Sequence, residues 1–167
     1  MAVAPSPLED RAGGRYRRGA GLRRKEIHLH RFALRVRYGD TDQMGVAYYG
    51  NYLRWFEIGR AELMRSLGLT YRSIEASGTR LPVVEARCRY LKPARYDDLV
   101  AIETGVVALG RASVRFAYRI LNQTTGELLA HGSTEHCFLG TGDRPVRAPA
   151  ELAAVLARAP RAGPGGA

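Results

Sequence analysis

An α+β fold, in which a mostly antiparallel sheet carries one long helix on a single face, is predicted from three observations. Residues 51–67 (NYLRWFEIGRAELMRSL) place Tyr52, Phe56, Gly59, Leu63 and Leu67 on one stripe at helical period. From Val84 onward the apolar residues alternate with polar ones instead. The alternating segments are joined by short turn signals, which suits hairpins better than crossovers.

The elements follow in order. FALRVRY at 32–38 reads as a first strand, and the long helix stops at Gly68. Gly59 costs helix propensity inside the stripe, so it marks a close approach to another backbone. A connecting stretch ends at SGT, and Val84, Ala86, Cys88 and Tyr90 then share one strand face. Val100, Ile102, Val106 and Ala108 continue the alternation, and Val114, Phe116, Tyr118 and Ile120 show it most clearly. QTTG at 123–126 turns the chain into a strand over about 127–139, and ELAAVLARA at 151–159 reads as a short terminal helix.

The 167 residues, 46% of them apolar, suffice for one domain, placed at 32–147. The net charge of +10 is uneven: residues 1–31 carry eight Lys/Arg against three acids, and 158–167 two against none. Residues 1–31 are expected to be a basic, disordered extension, and 148–167 a short helix with a flexible tail. A nucleic-acid-binding arm is the weaker reading, because the segment offers no stacking aromatics or groove-reading helix. No apolar run suits a signal peptide or a membrane span, so a cytoplasmic protein with no membrane insertion is expected. Cys88 and Cys137 lie in strand-like runs without CxxC spacing and are expected as buried, reduced thiols.

The chemistry concentrates in GDTDQMGVAYYGNY, residues 39–52, where two aspartates leave the first strand just before the helix. Free N–H groups and the positive end of the dipole at a helix start can polarise a carbonyl beside a carboxylate. A calcium loop is rejected, since it needs an oxygen ligand at 44 and an acid at 51, where the chain has Met44 and Asn51. For Asp40, bonding to turn N–H groups is favoured; for Asp42, turn bonding and catalysis both stand.

The stretch YGDTDQMGVAYYGNYLRWFEIGRAELMRSLGL resembles the 4-hydroxybenzoyl-CoA thioesterase family, in particular its YbgC-like branch. The resemblance continues through LPVVEARCRYLKPARYDDLV and AHGSTEHCFLGTGDRPVRAP, covering about 32–150. It implies a hotdog fold, an antiparallel sheet wrapped round one long helix. It also implies hydrolysis of acyl-CoA thioesters without metal or cofactor, and assembly as homodimers or homotetramers. The family's catalytic carboxylate matches Asp42, and the N–H that polarises the thioester carbonyl matches the helix start at about Tyr49. An aspartate there serves as nucleophile, or as general base if burial raises its basicity.

Other residues carry weaker assignments. The rings of Tyr48 and Tyr49 are candidates to line the acyl pocket; many family members have His at 49, so Tyr leaves the acyl preference open. Glu57 is either a second carboxylate at the site or a partner of Arg60 three residues on. Arg89, Lys92 and Arg111 are candidates to meet the phosphates of coenzyme A. His131 and His136, five apart in one strand, face opposite sides and cannot share a local metal. Two alternatives remain: a non-catalytic acyl-CoA-binding hotdog protein, and a hotdog hydratase or dehydratase, whose helix-associated histidine is missing near Asp42.

Overall fold

The computed structural model describes residues 29–163. Its sheet is built from β1 (His30–Arg35), β2 (Val83–Tyr90), β3 (Leu99–Leu109), β4 (Ser113–Asn122) and β5 (Leu128–Cys137). The helices are α1 (Asn51–Ser66), α2 (Tyr71–Ala76) and α3 (Ala150–Ala157). All strand pairs are antiparallel, in the order β1-β3-β4-β5-β2, so β2 crosses to the far edge beside β5. The expected α+β hotdog is the fold observed. Among the described residues, no helix is long and apolar enough to cross a membrane.

The stripe of α1 buries Tyr52, Trp55, Phe56, Leu63 and Met64 against the sheet. Phe56 stacks on Tyr118 with ring centroids 4.4 Å apart. A Cβ at Gly59 would lie 2.5 Å from both Ile102 Cγ2 and Thr104 Oγ1, so only glycine lets the helix approach β3 this closely. The opposite sheet face alternates charge, with Glu103 reaching Arg31 and Arg119, and Glu135 reaching Arg115. Such exposed pairs contribute little each, and they keep that face in water.

Several boundaries differ from the sequence reading. β1 starts at His30, inside the segment assigned to the basic extension, and ends at Arg35. The rest of that extension, residues 1–28, lies outside the described residues. The stretch before SGT contains α2, started by a Thr70–Ser73 capping box that a reading by hydrophobic period cannot see. At the C-terminal end, Val106 donates to Pro160 O and Ala162 donates to Val106 O, so 160–162 run along β3 rather than forming a free tail. Leu152 and Leu156 of α3 belong to the core. Both cysteines are unpaired as expected, but half-buried rather than buried. β2 is exposed along nearly its whole length, because no described element covers its outer edge.

Arg60 overturns another expectation. Instead of pairing with Glu57 it turns inward, donating from Nε to Tyr71 OH at 2.5 Å and from Nη1 to Tyr118 OH at 3.5 Å. Tyr118 OH lies 2.7 Å from Thr134 Oγ1, which lies 2.9 Å from His136 Nε2, and His136 Nδ1 lies 3.1 Å from Leu81 O. A carbonyl can only accept, so Nδ1 carries the proton. For a neutral imidazole, Nε2 then accepts from Thr134, which leaves Thr134 to accept from Tyr118 and Tyr118 from Arg60. His136 is thus a structural histidine, held well below its ordinary value, at about 4, by burial and then by the Arg60 charge.

Candidate active site

The loop from β1 to α1 folds back on itself before the helix begins. Asp42 N–H donates to Val46 O, and Gly45, at a left-handed φ of 70°, donates to Asp42 O. Ala47 N–H donates to Ala94 O, and Ala94 N–H donates to the hydroxyl of Tyr52 in the first turn of α1. The helix start, the aspartate loop and the segment after β2 are thereby tied together.

These ties leave an open pocket of ≈ 280 Å³ lined by Asp42, Met44, Tyr49, Tyr52, Tyr90 and Leu91, with Lys92 among its few polar groups. Asp42 Oδ1 accepts the Met44 N–H at 2.9 Å, which fixes the carboxylate as it borders the pocket. Asp40 has a different position. Its Oδ2 accepts the Arg37 N–H at 2.8 Å, its carbonyl accepts from Tyr48 N–H and Asn51 Nδ2, and it borders a separate groove beside β1.

The residues just before α1 supply the donors. Asn51 N–H and Tyr52 N–H close back onto the carbonyls of Tyr48 and Tyr49. The N–H groups of Tyr49 and Gly50, just outside the helix, have no acceptor among the described residues. A Cβ at Gly50 would meet the exposed Tyr48 ring at 2.8 Å, so a larger residue there would displace that ring. Tyr90 donates its hydroxyl to Tyr49 O at 3.1 Å and packs edge-on against the rings of Tyr49 and Tyr52. Its phenol is pushed up to about 12, first by desolvation and then by Cys88, so it is a donor at any biological pH.

Of the residues singled out in the sequence, Asp42, Tyr49 and Lys92 meet at this pocket. Lys92 also pairs with Glu127. Tyr48 backs it, its ring 4.5 Å from that of Tyr49. Glu57 is exposed on α1 and does not line the pocket. Arg89 points to the charged sheet face with His131, and Arg111 lies in the β3–β4 turn at the other end of the sheet. Tyr52, Tyr90 and Leu91 were missed as pocket residues. The alternation that put Tyr90 on one face with Ala86 and Cys88 was the available signal.

This chain matches the family model of the Thioesterase-like superfamily over residues 36–156, and it belongs to that superfamily. It is similar to the acyl-CoA thioesterase YbgC of Haemophilus influenzae, at 32% identity over 127 residues, covering 75% of this chain and 92% of that protein. It is also similar to the acyl-CoA thioester hydrolase YbgC of Escherichia coli, at 33% identity over 94 residues, covering 56% of this chain and 70% of that one. Among solved structures, the DHNA-CoA thioesterase of Staphylococcus aureus superposes with a TM-score of 0.68 at 34% identity, covering 71% of this chain and 80% of its own. Fold and family agree on a YbgC-like hotdog enzyme of the thioester-hydrolase class.

Proposed function

We propose that this protein hydrolyses acyl-CoA thioesters, with Asp42 as the reactive carboxylate and the N–H groups of Tyr49 and Gly50 as donors to the thioester oxygen. One observation carries the reading: an anchored carboxylate and Tyr49 line a single apolar pocket at the start of α1, where the N–H groups of Tyr49 and Gly50 have no acceptor among the described residues. As the carbonyl carbon is attacked, negative charge grows on its oxygen, where fixed N–H dipoles are worth most. Either Asp42 attacks, forming an anhydride that water then opens, or Asp42 takes a proton from the attacking water; in both routes the CoA thiolate leaves. Lys92 at the rim suits an anionic part of the cofactor moiety. No histidine lines the pocket among the described residues, which disfavours a hydratase. Purified protein mixed with a panel of acyl-CoAs and a thiol reagent should release free CoA from at least one member. Tight binding without release would favour an acyl-CoA-binding protein instead.

The proposal includes a homodimer through the open edge of β2. Val83, Val84, Tyr90 and Leu91 are each 45–58% exposed there, an apolar strand edge of the kind that soluble proteins cover. Antiparallel pairing with a second β2 would set the Val83 end of one copy beside the Tyr90 end, and hence the pocket, of the other. Light scattering should report a dimer or a multiple of one. Val84→Asp should shift it toward monomer with a parallel fall in turnover, and an active unmutated monomer would remove the idea.

A further inference from the structure

Tyr90 occupies a position that the catalytic reading does not use. Its hydroxyl is a donor, and it gives its hydrogen bond to the carbonyl oxygen of Tyr49 at 3.1 Å. That carbonyl belongs to the same peptide unit as the Gly50 N–H, one of the two donors without an acceptor among the described residues. A hydrogen bond received at a peptide oxygen draws electron density from the nitrogen, so the N–H across the peptide becomes a stronger donor. The same bond fixes the plane of that peptide.

The surroundings make the contact specific. The Tyr90 ring stands edge-on to Tyr52 at 5.1 Å and to Tyr49 at 6.4 Å, which holds its hydroxyl against the helix start. Tyr52 is itself pinned by the Ala94 N–H, so the far side of the clamp cannot drift. Tyr49 O also receives the Tyr52 N–H at 3.3 Å, a longer contact that leaves the phenol as its shorter partner.

We propose that Tyr90 is a positioning residue for thioester hydrolysis, orienting and polarising the Tyr49–Gly50 peptide so that its N–H meets the carbonyl oxygen as charge develops. This rests on the reading that the helix-start N–H groups hold that oxygen. The effect belongs mainly to the transition state, where the oxygen is most negative, so it acts on kcat more than on KM.

Tyr90→Phe removes the hydroxyl and keeps both ring contacts. With the acyl-CoA turned over fastest in the panel, kcat should fall about 5- to 10-fold, KM should stay within about twofold, and Tm should hardly move. A second measurement separates polarisation from packing. The same acyl-CoA, labelled with ¹³C at the thioester carbonyl, is bound to Asp42→Asn protein and its carbonyl stretch recorded. The band should lie below that of the free thioester, and Asp42→Asn/Tyr90→Phe should move it back toward the free value. An unchanged kcat in Tyr90→Phe overturns the proposal, and so does a lowered kcat with an unmoved band. In either case inactivity of Asp42→Asn leaves the catalytic reading standing. Full activity of Asp42→Asn removes the carboxylate assignment alone, and the kcat of Tyr90→Phe then decides the role of Tyr90 by itself.

Discussion

Asp42→Asn should lower kcat by about 10²–10⁴-fold, with acyl-CoA affinity and Tm little changed. The expectation rests on how the side chain is held. Asp42 Oδ1 accepts the Met44 N–H, and an asparagine Oδ1 can accept the same bond, so the turn from Asp42 to Val46 should persist. What disappears is the negative charge, and with it both the nucleophile and the base. Asp40→Asn is the matched control. Its carboxylate accepts the Arg37 N–H and borders a different groove, so the change should cost about 0.5–1.5 kcal/mol of stability and leave kcat within a few fold. Steady-state rates, binding isotherms and melting curves for both variants decide the assignment. Full activity in Asp42→Asn, or a larger loss of kcat in Asp40→Asn at equal stability, would falsify the proposed role.

Asp42 and Tyr49 are singled out by the family resemblance, and the stretch that carries it is contiguous in the sequence. A strand end, a tight turn and a helix start fall within residues 39–52, and each has a local chemical signal. Tyr90 had only its place in the alternation of β2, since its partner Tyr49 is 41 positions away and the contact exists only once β2 has crossed to the far edge. The sheet was readable where one face is buried, as at Val114, Phe116, Tyr118 and Ile120. It misled at β2, where an alternating pattern predicted half-burial and the described chain leaves the strand open. Arg60 was hardest of all. At i+3 from Glu57 it has the spacing of a surface pair, while the hydroxyls that draw it inward belong to Tyr71 and Tyr118. Helical periodicity identifies which positions face the core, and an arginine on that face is read as an exception until its distant partners are known.

That inward network leads to an expectation for stability against pH. His136 is fully buried and neutral in the folded protein, with its value lowered from 6.5 to about 4. In the unfolded chain the imidazole takes up a proton near its ordinary value. Between those limits the unfolded state therefore binds more protons at this position, and acid favours unfolding. The contribution of His136 is fully present above pH 6.5 and is lost progressively as pH falls through about 4. A shift of this size corresponds to about 3 kcal/mol at most. The physical cause is that protonation at Nε2 would turn an acceptor into a donor facing Thr134, reversing the chain of hydroxyls and adding a second positive charge near Arg60. Urea midpoints between pH 7.5 and 4.5 should fall more steeply for the unmutated protein than for His136→Gln, whose carboxylates titrate alike but whose buried imidazole is gone. Comparing slopes makes the test independent of any uniform loss of stability in the variant. A ¹⁵N titration of the unmutated protein gives a second reading, in which His136 should remain neutral down to about pH 5. Equal slopes, or an imidazole that protonates near 6.5 in the folded state, would show that the network tolerates the charge.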